Sequence, residues 1–271
     1  MIPYFQRGDV TLYLGDCAEI DVAHDLLVTD PPYGQEFVSG KAGGRWGAIV
    51  GDNDMDGVHL RLAHVIKSLR RGRHVYIFGN QLDPSKLPLC GIGEIIWDKG
   101  VIGMGDLTIP WGPQHENITF AVYELSKANR AKGYGNLAAR IRKGSVIRSI
   151  RPHSGRVQHH PTEKPIDVLR QLIESSSVMG EIVYDPFSGS GSTLIAAALE
   201  GRKAVGCEIE ERYCETAAKR LEKEVPGVWG TSGPEREDVH GMRCTHGVWL
   251  ADPCKQCAAE ASPPPQRGQH D

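Results

Sequence analysis

The stretch that most restricts this chain runs from Glu181-Ile182-Val183-Tyr184 through Asp185-Pro186-Phe187-Ser188-Gly189-Ser190-Gly191-Ser192-Thr193 into Leu194-Ile195-Ala196-Ala197-Ala198-Leu199-Glu200. A short apolar strand, a glycine-rich turn and an alanine-rich helix, in that order, commit the chain to an α/β sheet whose backbone approaches a ligand closely. A further strand, Lys203-Ala204-Val205-Gly206-Cys207, ends at Glu208, 17 positions beyond Gly191. That is close to the spacing of roughly 20 at which an acidic side chain accepts hydrogen bonds from ribose hydroxyls. The third glycine of Gly-x-Gly-x-x-Gly is missing, and no Gly-x-x-x-x-Gly-Lys is present to cradle a triphosphate. A nucleoside cofactor without a pyrophosphate fits better than NAD or ATP, and S-adenosylmethionine is one.

A second strand end carries different chemistry. The apolar run Leu26-Leu27-Val28-Thr29 reads as a buried strand closed by Asp30-Pro31-Pro32-Tyr33. The Asp30 carboxylate and the Pro31 carbonyl are acceptors beside two residues that lack a backbone N–H, and Tyr33 offers a face on which a base can stack. This set suits chemistry on an exocyclic amine. Upstream, Val10-Thr11-Leu12-Tyr13-Leu14-Gly15-Asp16-Cys17 reads as another strand ending in Gly-Asp.

Asp30-Pro-Pro-Tyr, then His160-Pro161-Thr162-Glu163-Lys164-Pro165, then Asp185-Pro-Phe-x-Gly-Ser-Gly, in that order, resemble the β-class S-adenosylmethionine-dependent DNA amino-methyltransferases over about residues 8 to 224. The resemblance implies a permuted seven-stranded Rossmann-like methyltransferase sheet with helices on both faces. The strands ending at Asp30 and Asp185 would be neighbours although 155 positions separate them. It assigns Asp30, Pro31, Pro32 and Tyr33 to catalysis. Asp16, Cys17, Thr162, Lys164, Asp185, Phe187, Ser188, Gly189, Ser190, Gly191 and Glu208 fall to the cofactor. Methylation of adenine N6 is the first expectation and of cytosine N4 the second, since the family's cytosine enzymes more often carry Ser at the position of Asp30. A non-catalytic DNA-binding protein is the rival of another class, and it leaves Asp-Pro-Pro-Tyr without a purpose. A cognate restriction endonuclease is an expected partner within a restriction-modification system, the protein itself being a monomer or homodimer.

The net charge of −3 over 271 residues is unevenly spread. Residues 127–158 hold nine Lys or Arg and no Asp or Glu. Such a concentration in a mildly acidic chain is the footprint of phosphate contacts, against the plainer reading of a solvated face. Arg130, Lys132, Arg140, Arg142, Lys143, Arg148, Arg151 and Arg156 are therefore the expected DNA-binding residues. No apolar stretch approaches a membrane span, and the first residues lack the apolar core of a signal peptide, so a cytoplasmic protein without membrane contact is expected. The acids Asp52, Asp54 and Asp56 imitate a calcium loop, but position twelve of that loop is Ala63; they read instead as favouring the start of a helix over about Val58–Leu69.

The methyltransferase domain is expected over 1–224, with 127–158 as its target-recognition segment. A Gly- and Pro-rich linker follows over 225–243. Cys244, His246, Cys254 and Cys257 then have ligands enough to close one small tetrahedral zinc site over 244–257, the alternative being a reduced tail without metal. The remaining 258–271 reads as disordered.

Overall fold

A computed structural model of the chain describes residues 2–32, 54–103, 107–108, 110–123, 143–149 and 163–225, all within one compact unit over residues 1–229. In chain order the strands are β1 (Phe5–Arg7), β2 (Val10–Leu14), β3 (Leu26–Thr29), β4 (His74–Phe78), β5 (Leu89–Asp98), β6 (His115–Tyr123), β7 (Val146–Arg148), β8 (Ile182–Asp185) and β9 (Lys203–Glu208). The α-helices are α1 (Met55–Lys67), α2 (Ile166–Ser176), α3 (Ser192–Leu199) and α4 (Glu211–Glu224).

Among the described residues nine strands join one sheet in the order β1-β2-β9-β8-β3-β4-β6-β5-β7. The expected seven strands are thus the inner set, and the count is corrected by β1 and β7, three-residue strands at the two edges. Three residues are too few to show a period of two, so neither edge was visible as a pattern. Pairing is parallel from β2 through β9, β8 and β3 to β4, and antiparallel from β4 to β6 and β6 to β5. β3 and β8 do lie side by side, with Leu26 opposite Val183 and Leu27 opposite Tyr184.

Alternation along the strands divides the core into two layers. Leu26, Val28, Tyr76 and Phe78 face one side with α2, α3 and α4, whereas Leu27, Val75 and Ile77 face the other with α1. Each helix follows from its stripe. Val58, Leu62, Val65 and Ile66 are the buried apolar face of α1, and Val168, Leu169, Leu172 and Ile173 that of α2. The start of α1 lies three residues before the expected one because the Asp54 carboxylate accepts from the Gly57 N–H at 2.8 Å and caps it. The helix α3 is buried along nearly its whole length, and its run Ala196–Ala198 leaves room for close packing against α2 and the sheet. Among the described residues no helix is long and apolar enough to cross a membrane.

Candidate active site

At the β8/β3 boundary the sheet's crossovers diverge, and there the ends of the parallel strands open a crevice. Asp185 closes β8, Glu208 closes β9, and Asp30 follows β3. Because β6 runs antiparallel to β4, with Phe78 opposite Ile118, its first residues arrive at the same edge. A cleft of about 350 Å³ lies between Asp30, Lys164 and Asp185 on one side and the turn from Phe187 to Ser190 with Ser192 and Thr193 on the other.

The turn is built by its glycines and by its neighbours. Gly191 has φ 81°, and a β-carbon there would lie 2.9 Å from the Ala217 β-carbon. Its freedom from a side chain therefore serves packing against α4, where a direct approach to the ligand was the expected reason. The Asp185 carboxylate accepts from the Phe187 N–H at 3.1 Å, and the Ser188 hydroxyl donates to the Asp185 carbonyl at 2.9 Å. Glu208 accepts from the N–H groups of Gly189 and Glu210, both at 2.8 Å, which aims the carboxylate along the turn.

Arg220, only 4% exposed, was not singled out in the sequence. From α4 it donates to the Ser190 carbonyl and hydroxyl, each at 2.9 Å, and to the Ser192 hydroxyl at 3.0 Å; it also pairs with Glu163 at 3.0 Å. One guanidinium thus ties the turn to the Glu163-Lys164-Pro165 segment. The signal was there to be found, because Arg220 falls on the stripe of Tyr213, Ala217 and Leu221, where an unpaired charge is not tolerated.

Lys164 is buried, and its ammonium lies 2.8 Å from Asp30 Oδ2 and 2.6 Å from Glu116 Oε1. Burial opposes its charge, but Asp30 and Glu116 together outweigh that and hold its pKa above the ordinary value. The opposite balance holds in the turn. Burial pushes the Asp185 carboxyl up to about 7, against its hydrogen bonds from Thr193 and Phe187, and burial raises Glu208 as well. A carboxylate such as Asp185, lining the cleft with its charge undercompensated, suits a cationic ligand.

Asp16 differs from expectation in its surroundings. Its carboxylate receives the Arg61 guanidinium, with contacts of 2.8–3.0 Å, and the Ala18 N–H at 2.9 Å. Burial would raise its pKa, and the Arg61 and Ala18 bonds reverse that and lower it. The Cys17 thiol beside it is pushed up to about 12 by burial and then by Asp16, so it stays protonated at neutral pH. Pro31 is buried and Pro32 half-buried at the mouth of β3.

Two of the basic residues expected at DNA are described. Lys143 pairs with Glu174 on α2 at 2.6 Å, while Arg148 is 85% exposed and 3.5 Å from Asp98. Tyr33, Thr162, Arg130, Lys132, Arg140, Arg142, Arg151, Arg156 and the four tail residues Cys244, His246, Cys254 and Cys257 lie outside the described residues.

A switch-point crevice that joins a nucleoside-type turn to an Asp-Pro-Pro strand end defines a Rossmann-like methyltransferase site. The N6_N4_Mtase family, DNA methylase, matches residues 24–219, and the chain belongs to this family of S-adenosylmethionine-dependent DNA amino-methyltransferases. The Type II methyltransferase M.ScaI of Streptomyces caespitosus is 26% identical over 274 residues, covering 84% of this chain and 86% of its own. Two relatives of higher local identity match over short stretches. The chain spans 28% of one, at 50% identity, and 29% of the other, the Type II methyltransferase M2.DpnII of Streptococcus pneumoniae, at 38%. Among solved structures the fold is shared with the M1.HpyAVI-SAM complex, at TM-score 0.59 and 21% identity over 78% of this chain and 98% of that one. It is shared too with the PvuII cytosine-N4-specific DNA methyltransferase, at TM-score 0.58 and 14% identity over 84% and 93%.

Proposed function

We propose that this protein transfers a methyl group from S-adenosylmethionine to the exocyclic N6 amine of adenine in DNA. The observation that carries the reading is the adjacency of β3 and β8, which brings the Asp30 carboxylate and the turn from Asp185 to Gly191 to one crevice. Glu208 would hold the ribose, and Asp185 would face the cationic methionine end. When bound, S-adenosylmethionine supplies an activated methyl group.

The residues of the chain act on the other reactant. An exocyclic amine is a weak nucleophile because its lone pair is delocalised into the ring. Hydrogen bonds donated by the amine to Asp30 and to the Pro31 carbonyl localise that pair and aim it. The new N–C bond forms as the S–C bond breaks, its electron pair staying on sulfur. The methylated amine then carries positive charge and loses a proton to Asp30, which passes it to water. The target atom is out of reach within a stacked duplex, so the base must be flipped out, with Tyr33 as the stacking face. The remaining basic residues of 127–158 would hold the backbone.

Cytosine N4 is the second reading, because an enzyme of that specificity shares the fold. Asp at position 30, where a Ser is commoner in the cytosine enzymes, favours adenine. Incubation of duplex DNA with methyl-labelled cofactor, followed by nucleoside analysis, tests the proposal. Label in N6-methyladenine is expected. Label in N4-methylcytosine transfers the mechanism to the other base, and unlabelled DNA refutes it.

A further inference from the structure

Resting on that reading, we infer that Glu116 is a positioning residue for methyl transfer: it shares the Lys164 ammonium with Asp30, so that Asp30 remains a strong acceptor for the target amine. Glu116 stands second in β6, opposite Trp97 of β5, and belongs to none of the motifs that mark the site in the sequence. Its Oε1 is 2.6 Å from the Lys164 ammonium and its Oε2 3.1 Å from that of Lys99. On its other side Lys164 touches Asp30 Oδ2 at 2.8 Å, and its ammonium stands 5.2 Å from the centre of the Phe78 ring.

The arrangement has a consequence for rate. An ammonium this well buried must be compensated, and two carboxylates divide the task. With Glu116 neutral, Lys164 would be drawn more strongly to Asp30, and that carboxylate would lose acceptor strength. Its hydrogen bond from the amine strengthens as the amine gains positive charge, so the loss falls on the transition state more than on the bound substrates. A purely structural Glu116 would show itself in stability and in binding.

The test compares wild type, Glu116→Gln and Glu116→Asp, measuring kcat and KM on duplex DNA, cofactor Kd by calorimetry and melting temperature. For Glu116→Gln we expect kcat to fall by about tenfold or more, with KM for DNA and cofactor Kd within about threefold of wild type. Glu116→Asp, which keeps the charge on a shorter arm, should recover part of the lost rate, and it serves as the measured variant should Glu116→Gln not fold. Equal impairment of the two folded variants, an unchanged kcat, or a loss that appears in Kd or KM alone overturns the inference. A wild-type protein that binds cofactor yet never labels DNA refutes the underlying function, before any variant is compared.

Discussion

Replacing Asp185 by Asn should stabilise the protein while spoiling its cofactor site, and the size of the gain can be worked from the structure. Asp185 is 3% exposed, and burial moves its carboxyl from the ordinary 3.8 to about 7. Between those two values the unfolded chain has released the proton and the folded chain has kept it, so stability falls as pH rises from about 4 to 7 and is flat above. The whole cost above pH 7 is about 4 kcal/mol, at about 1.4 kcal/mol per tenfold in the ionisation constant. Asn keeps the carbonyl that accepts from the Phe187 N–H, and the Thr193 hydroxyl can turn to accept from the new amide. Differential scanning fluorimetry without cofactor should therefore show a rise in melting temperature at pH 8 of on the order of 10 °C, at ~2–4 °C per kcal/mol for a domain of this size. The rise should shrink steadily as pH falls and vanish near pH 4. Cofactor affinity should drop in the same variant, because a negative charge facing a cation has gone. A melting temperature that rises equally at pH 5 and pH 8, or fails to rise at pH 8, refutes the reasoning.

Asp30→Ala should abolish methyl transfer, with cofactor Kd by calorimetry changed by less than about tenfold, since the side chain faces the amine. Arg220→Ala removes the guanidinium that Glu163 and the Ser190 and Ser192 hydroxyls share, and should cost about 1.5–3 kcal/mol in denaturant unfolding and weaken cofactor binding. Arg220→Lys, which cannot span all of these acceptors, should restore little of either. Gly191→Ala meets both a positive φ and the Ala217 β-carbon at 2.9 Å, so a loss of at least about 1–2 kcal/mol is expected by the same unfolding assay. Lys143→Ala should leave the dependence of DNA affinity on salt nearly unchanged, because its charge is matched by Glu174. Arg148→Ala should flatten the log–log slope by up to about 0.9.

The strands and helices around the site were legible because their apolar runs are unbroken and are closed by turn residues. His74–Phe78 and Glu211–Glu224 have the bounds that apolar runs and a helical stripe suggest, and Asp30, Asp185 and Glu208 all stand at strand ends. What the sequence concealed were partners made by tertiary contact. Glu116 lies in the polar run His115-Glu116-Asn117 ahead of an apolar strand, and only the antiparallel return of β6 beside β4 brings it to Lys164. Asp16 ends its strand in a Gly-Asp pair, and nothing in the sequence joins it to Arg61, 45 positions on, which the fold brings to its carboxylate. Lys143 belongs by composition to a basic stretch, yet Glu174 on α2 takes its charge. Local pattern reports which face is buried; it is silent on which charge meets which.

The pairing of β3 with β8 also sets a clock for the ribosome. β3 is finished at Thr29, but its inner neighbour does not begin until Ile182. At about 5–20 residues per second, the intervening chain takes about 8 to 30 s to emerge. Through that interval Leu26, Leu27 and Val28, wholly buried in the finished protein, form an apolar strand with one edge unpaired. The strand that leads to Asp30 is thus among the first made and among the last to be enclosed. A nascent chain arrested before residue 180 should be bound by chaperones at this strand, and one released beyond Val225 should not.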